Sequence, residues 1–353
     1  DDLTDLPVTA ESGVGELMTA TDAANPPSAT RRQLGIDVGG SAIKWSIVGD
    51  GQLERTGFLA TPRTGGTAVI DAICELATTL DAAPSAIGLT FPGTIDALRR
   101  RTRFIPNVPG DWDGFPVAEV VEQRTGLPVA LLNDARAMAY AEFVAGAAAG
   151  EQNALFIALG TGVGGAVALG GKILIGDVDS IGEMGHFPSE ADGELCPCGG
   201  RGCLETLASA SAIVGRLSRT LITAQSAVLN ELCGGRVENL TARVASEAAL
   251  RGDPWALDAF ARAGRAIGMA AGATCMLLQI PTLVLGGGLA PSVPLMLPEV
   301  RRILDQRISI SGPIDARVGT FGAEAGSVGA ALYAASTFDP PPSTSTSHRR
   351  SNA

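Results

Sequence analysis

The chain has 353 residues, 46% of them hydrophobic and only 4% aromatic, and its net charge is −11. That length suffices for two lobes with a large buried core, and the acidic balance argues against a general nucleic-acid binder, which needs a basic surface. Residues 266–298 carry no charge, but Gly268, Gly272, Gln279, Pro281 and the glycines at 286–288 interrupt the run. It therefore reads as a buried helix, a buried strand and a glycine turn rather than a membrane span. The acidic N-terminus shows no secretory leader, so a soluble cytoplasmic protein is expected.

Residues 1–33 are acidic and weakly periodic and read as a disordered extension. The fold is expected to begin at Leu34, where LGIDVGG reads as a strand into a glycine turn and AIKWSIV as the returning strand. Residues 68–80 suit an amphipathic helix, 86–93 a short buried strand and 116–124 a second helix. Residues 128–135 read as a strand that delivers Asn133 and Asp134 to its end, and the Ala-rich stretch 135–149 as a helix. ALFIALGTGVGG at 154–165 repeats the pattern of strand and glycine turn, and AVALGGKIL continues it as a hairpin. Residues 209–229 and 241–278 read as mainly helical, 282–288 as a buried strand with a glycine end, and 323–335 as a last helix. FDPPPSTSTSHRRSNA at 338–353 reads as a flexible tail that contains His348. Alternating strands and helices with glycine turns at strand ends indicate an α/β protein with a ligand cleft. The likeness of LGIDVGGSAIKWSIV to IALGTGVGGAVALGG suggests an internal repeat, with two lobes facing each other.

Two glycine turns are candidate phosphate loops. In the first, Asp37 precedes Gly39, Gly40 and Ser41. Glycines let backbone N–H groups approach an anion, and Ser41 adds a hydroxyl donor. Asp37 could position Mg2+ or its waters, and Lys44 is a further possible contact, although a plain hairpin turn explains the same letters. In the second, Gly160, Thr161 and Gly162 open a G-x-G-x-x-G string. The strand-like sequence after it disfavours a dinucleotide site, which needs a helix there. Asp134, at the end of an α/β strand, could take a proton from an attacking hydroxyl. The competing reading is that Asn133 or Asp134 caps the following helix.

Cys196, Cys198 and Cys203 form C-x-C-x4-C, and His186 lies ten residues upstream of the first. Three thiolates and one imidazole make a closed tetrahedral Zn2+ set, structural because no ligand position is left for an activated water. Cys74, Cys233 and Cys275 stand alone and read as small buried hydrophobes. The basic run RRRTR at 99–103 reads as a solvated hairpin tip, with a polyanion contact as the alternative.

In this order the motifs resemble the ROK family (repressor, open reading frame, kinase) of sugar kinases and sugar-responsive regulators. The matching pieces include IDVGGS at 36–41, FPGTID at 91–96, PNVPGDW at 106–112 and LPVALLNDARA at 127–137. LGTGVGG at 159–165, GEMGH at 182–186, CPCGGRGCLE at 196–205, VLGGG at 284–288 and AGSVGAAL at 325–332 complete the set. The resemblance spans about residues 34–335 and implies an actin-like ATPase (ribonuclease H-like) fold with a central cleft. It implies a small lobe at 34–135 and a large lobe with the zinc loop at 136–337. Asp134 would be the catalytic base. Gly93, Asn107, Asn133, Glu183, His186 and Glu205 would surround the sugar, and Gly286, Gly287 and Gly288 would border the adenosine. ATP, Mg2+ and a structural Zn2+ are the implied cofactors, and a homodimer the implied assembly. The expected reaction is phosphorylation of D-glucose. N-acetylmannosamine, N-acetylglucosamine, mannose or fructose are alternative substrates, and a sugar-responsive transcriptional regulator is the alternative of another class. Ser41 stands where the family more often has threonine, and Ala166 where it often has glycine.

Overall fold

Strand β1, Arg32–Val38, buries Gln33, Leu34, Gly35, Ile36 and Val38, a near-continuous run of the kind a strand covered on both faces requires. The computed structural model describes residues 31–96, 98–176, 180–306 and 312–339. The extension expected at 1–33 and the tail expected at 338–353 lie outside these, apart from residues 31–33 and 338–339. At those positions Asp339 accepts hydrogen bonds from Arg31, Gln33 and Ser85, joining the two ends of the described chain.

β1 pairs antiparallel with β2, Ala42–Gly49, which pairs with β3, Gln52–Ala60. On its other side β1 runs parallel to β4, Ala86–Phe91. The strands β5, Thr94–Asp96, and β6, Arg101–Phe104, form a separate hairpin. β7, Val129–Asn133, then closes the first sheet beside β4, giving the order β3-β2-β1-β4-β7. The second sheet repeats this plan. β8, Ala154–Leu159, is antiparallel to β9, Val163–Leu169, which pairs with β10, Lys172–Ile173. β11, Thr282–Gly286, and β12, Asp315–Val318, add in parallel on the far side, giving β10-β9-β8-β11-β12. The internal repeat is thus a repeat of topology and of strand direction.

Helices α1, Gly66–Thr79, and α2, Val117–Thr125, cover the first sheet, burying Val69, Ile73 and Val121 with Ile36, Ile87 and Leu131. α3, Asp134–Val144, follows β7. The second sheet is covered by α4, Glu205–Ala208, α5, Ala210–Ile222, α6, Ala227–Cys233, α7, Ala242–Leu250, α8, Pro254–Leu278, and α9, Val293–Asp305. The helical stretch expected at 241–278 is two helices, because Asp253 caps a new one at Pro254. The helix expected at 135–149 ends at Val144. Among the described residues no helix is long and apolar enough to cross a membrane.

The closing helix α10, Ala325–Phe338, departs from the expected lobe boundary: it leaves the second sheet and packs on the first, and on α3. Glycine makes the contact possible. A Cβ on Gly35 would fall 1.8 Å from the Ser327 oxygen, and one on Gly88 1.8 Å from the Ala330 oxygen. On the helix side, a Cβ on Gly329 would meet the Ala137 oxygen at 1.7 Å. Helix backbone therefore rests directly on strand and helix backbone, and residues 325–338 belong with the first lobe.

Candidate active site

The first glycine turn joins β1 to β2, with Val38 paired to Ile43 and the Gly39 N–H donating to the Ala42 oxygen at 2.9 Å. Thr61, buried, braces it: its hydroxyl donates to the Gly39 oxygen at 2.6 Å, and its N–H to the Ser41 oxygen at 3.1 Å. A Cβ on Gly40 would lie 2.6 Å from the Asn107 oxygen, so the turn touches PNVPGDW, where Asn107 has φ 66°. Asp37 accepts from the Thr90 hydroxyl at 2.8 Å. Burial pushes the Asp37 carboxyl up, while Thr90 and then Lys44 hold it down. Lys44 faces Asp37 across the strand pair, and its ammonium donates to the Ala323 oxygen at 2.7 Å. Sequence reasoning missed Thr61 and Thr90, yet Thr90 is the one polar residue in the buried strand AIGLTF.

At the end of β7, capping falls to Asn133. Its Oδ1 accepts from the N–H groups of Ala135 at 2.9 Å and Arg136 at 3.3 Å, and its Nδ2 donates to the Gly93 oxygen at 2.7 Å. Gly93 has φ 86°, and a Cβ there would meet the Phe104 oxygen at 2.2 Å. With the cap supplied, the neighbouring carboxylate is left for chemistry. Among the described residues Asp134 Oδ1 accepts only from the Ala135 N–H, at 2.8 Å. Burial, then Asp37, then Glu183 push the Asp134 carboxyl up to about 7, against the pull of the Ala135 N–H and Arg136.

The second glycine turn joins β8 to β9, with Leu159 paired to Val163 and the Gly160 N–H donating to the Gly162 oxygen at 3.0 Å. A strand follows, as expected, and not a helix. Glu205 is built into this turn: its Oε2 accepts from the Val163 N–H at 2.9 Å, and a Cβ on Gly162 would lie 2.5 Å from that oxygen. The Ala210 N–H and the Ser211 hydroxyl donate to the oxygens of Gly160 and Thr161, at 2.8 and 2.9 Å. Gly287, with φ 86°, backs onto Leu159, so the turn at Gly286, Gly287 and Gly288 meets the exit of β8. A Cβ on Gly164 would lie 2.6 Å from that of Ala135, which brings β9 against the first turn of α3.

Arg136 is fully buried, and its guanidinium donates to the Ile181 oxygen at 3.0 Å and to Glu183 Oε1 at 3.4 Å. It holds the GEMGH segment against the start of α3. Its signal in the sequence was a lone cation in an Ala-rich stretch. Beyond that segment, Nδ1 of His186 lies 3.7 Å from Cys196 Sγ, and Cys198 Sγ lies 3.7 Å from Cys203 Sγ. All four ligand atoms lie within 4.8 Å of one another. A tetrahedral site with Zn–S bonds of ~2.3 Å has S···S edges of about 3.8 Å, so the donor set and its spacing fit Zn2+. Gly199 and Gly202, with φ 91° and 63°, fold the loop, and the Cys196 N–H donates to the Gly200 oxygen at 2.8 Å.

The basic run on the β5–β6 hairpin is largely engaged by protein. Arg99 and Arg103 pair with Asp96 at 3.3 and 3.2 Å, Arg100 pairs with Glu122, and Arg101 donates to the Gly114 oxygen at 3.3 Å. Cys74, Cys233 and Cys275 are buried and free.

Two sheets of matching topology, with both glycine turns and Asp134 brought together at their strand ends, define an actin-like ATPase with two lobes. Residues 33–337 match the family model described as the ROK family, and the chain belongs to that family. It is 33% identical to a glucokinase of Streptomyces coelicolor over 84% of this chain and 96% of the other. It is 36% identical to an N-acetylmannosamine kinase of Vibrio cholerae over 52% of this chain and 63% of the other. Its fold matches a ROK family glucokinase from Streptomyces griseus, solved in complex with glucose and AMPPNP, with a TM-score of 0.76 at 34% identity. That match covers 86% of this chain and 99% of the other.

Proposed function

We propose that the protein is an ATP-dependent hexose kinase that transfers the γ-phosphoryl group of ATP to the 6-hydroxyl of D-glucose. The observation that carries the chemistry is Asp134: a carboxyl pushed up to about 7, beside Asp37, with its helix capped by another residue. A group poised near neutrality accepts a proton without holding it too weakly or too tightly. The sugar O6–H donates to Asp134 as O6 bonds to the γ-phosphorus. The bond from that phosphorus to the β–γ bridging oxygen breaks, and ADP leaves with the electron pair.

Backbone N–H groups of the turns at Gly39, Gly40 and Ser41 and at Gly160, Thr161 and Gly162 would receive the phosphates, and Gly286, Gly287 and Gly288 would border the adenosine. Mg2+ supplies charge neutralisation on the phosphates, and Asp37 would hold it or its waters. Asn107, Glu183, His186 and Glu205 would bind sugar hydroxyls, with Glu205 using the oxygen that Val163 leaves free. Asn133 and Gly93 reach the sugar through the turn they share. His186, Cys196, Cys198 and Cys203 would hold a structural Zn2+ that fixes the imidazole through Nδ1 and presents Nε2 to the sugar. A homodimer belongs to this reading on the family resemblance. The competing reading keeps every step and changes the sugar to N-acetylmannosamine, on the likeness to the kinase relative of that name.

Asp134→Asn is the test. It should lower kcat by at least about 10^2-fold while leaving the fold and sugar binding intact. Turnover near that of the parent would remove Asp134 from the reaction.

A further inference from the structure

α3 carries a second carboxylate that the chemistry does not use. Glu142 is fully buried, and a carboxylate so placed needs donors. Three backbone N–H groups supply them: Ala147 and Thr320 donate to Oε2, and Phe321 to Oε1, each at 2.9 Å. The cradle is lined by glycine, since a Cβ on Gly146 would fall 2.2 Å from Oε2 and one on Gly319 2.8 Å from Oε1.

The position of those donors is informative. Among the described residues the chain passes from the first sheet to the second once, through α3 and the residues before β8. It returns once, through 319–324 between β12 and α10. Ala147 lies on the outward crossing, and Thr320 and Phe321 on the return. One carboxylate therefore binds both covalent connections between the two halves. Arg317 on β12 adds a brace, donating to the Ala147 oxygen at 2.7 Å.

Both elements that Glu142 ties end in the active site. α3 begins with Asp134. α10 begins against Asp37, because a Cβ on Gly326 would lie 2.6 Å from Asp37 Oδ2. We propose that Glu142 is a positioning residue that pins the two interlobe crossings together, fixes the angle between the lobes, and so sets the glycine turn at 160–162 of the second sheet against Asp37 and Asp134, which both stand at strand ends of the first. The proposal rests on the kinase reading of those two residues.

Glu142→Gln keeps the shape and places an N–H2 where a backbone N–H already points. At a temperature well below Tm, kcat/KM for glucose should fall at least about tenfold, because misplacement of reacting groups is costly even from a distance. The dissociation constant of ADP measured without sugar should stay within about twofold, since the turns at 160–162 and 286–288 both belong to the second half. Leu217→Ala, a core change in that half, serves as control: it should lower Tm and leave kcat/KM alone.

Hydrogen exchange on the unaltered protein gives a reading independent of any variant. Glucose with ADP should slow exchange of the 319–324 amides at least about fivefold, because closure suppresses opening of the pin. A folded Glu142→Gln protein with parental kcat/KM, or exchange at 319–324 that ligands leave unchanged, overturns the proposal. If the variant does not fold, the exchange result alone decides. Normal turnover in Asp134→Asn would overturn the base assignment and leave the exchange result standing.

Discussion

Asp134 is the residue on which pH dependence turns. Its carboxyl is pushed up to about 7 in the fold, against about 3.9 in an unfolded chain. As a base it works ionised, so kcat/KM should rise with pH, inflect near 7 and level off above. The limb should vanish in Asp134→Asn. The linked effect on stability has the opposite slope. The folded state binds the proton more tightly, so the ionised carboxylate costs stability that is absent below about pH 4 and fully present above about pH 7. Asp134→Asn should therefore unfold later than the parent at pH 8, by on the order of 2 kcal/mol after allowance for water in the cleft, and at pH 4 the two should converge. Chemical denaturation at both pH values checks this, and equal stability at pH 8 would argue against a strained carboxylate. Asp134 was visible in the sequence as a carboxylate at a strand end. That Asn133 takes the cap was not, because both residue types cap well and only the side-chain geometry separates them.

Glycine decides where elements touch. Gly88→Ala drives a Cβ to 1.8 Å from the Ala330 oxygen on α10, and backbone must move. A loss of about 3 kcal/mol is expected, at the upper end for overpacking. Gly215, inside α5, has nothing within 4 Å of its Cβ position. Gly215→Ala should stabilise the protein by about 0.5–1 kcal/mol through helix propensity. Urea midpoints of opposite sign distinguish the two environments. The metal loop is tested by elemental analysis of protein prepared without added metal, where one Zn2+ per chain is expected. Chelation should then weaken sugar binding more than ADP binding, because the loop carries His186 and leads into Glu205. Protein that is free of zinc and fully active would contradict the structural metal.

Elements with a strong apolar period were legible, and those without it were not. β3 is exposed along most of its length and carries Glu54 and Arg55 side by side, so a clear alternating signal was never present. α9 contains Pro298 as well as a proline in its first turn, which masks an amphipathic helix. β12 is four residues with two charges, a strand only because β11 offers it an edge.

At the scale of the whole molecule, the repeated glycine turns foretold two matched sheets, because each turn ends a central strand and starts its antiparallel partner. The sequence placed α10 with the second lobe because it follows that lobe in order. Its packing on the first sheet depends on Gly35 and Gly88, more than 240 residues away even at the nearer contact, Gly88 with Ala330, and no local pattern reports such a contact. The same return path ties the second lobe back to the first, where Asp37 and Asp134 stand at strand ends of one sheet and face the glycine turn at 160–162 of the other. The most direct test of the kinase account is kcat/KM with ATP across a panel of glucose, mannose, fructose, N-acetylglucosamine and N-acetylmannosamine, with product formation followed by ADP release. The account predicts the highest value for glucose and formation of glucose 6-phosphate. A higher value for N-acetylmannosamine or N-acetylglucosamine would contradict the glucose assignment, and no ADP release with any of the five would contradict the kinase itself.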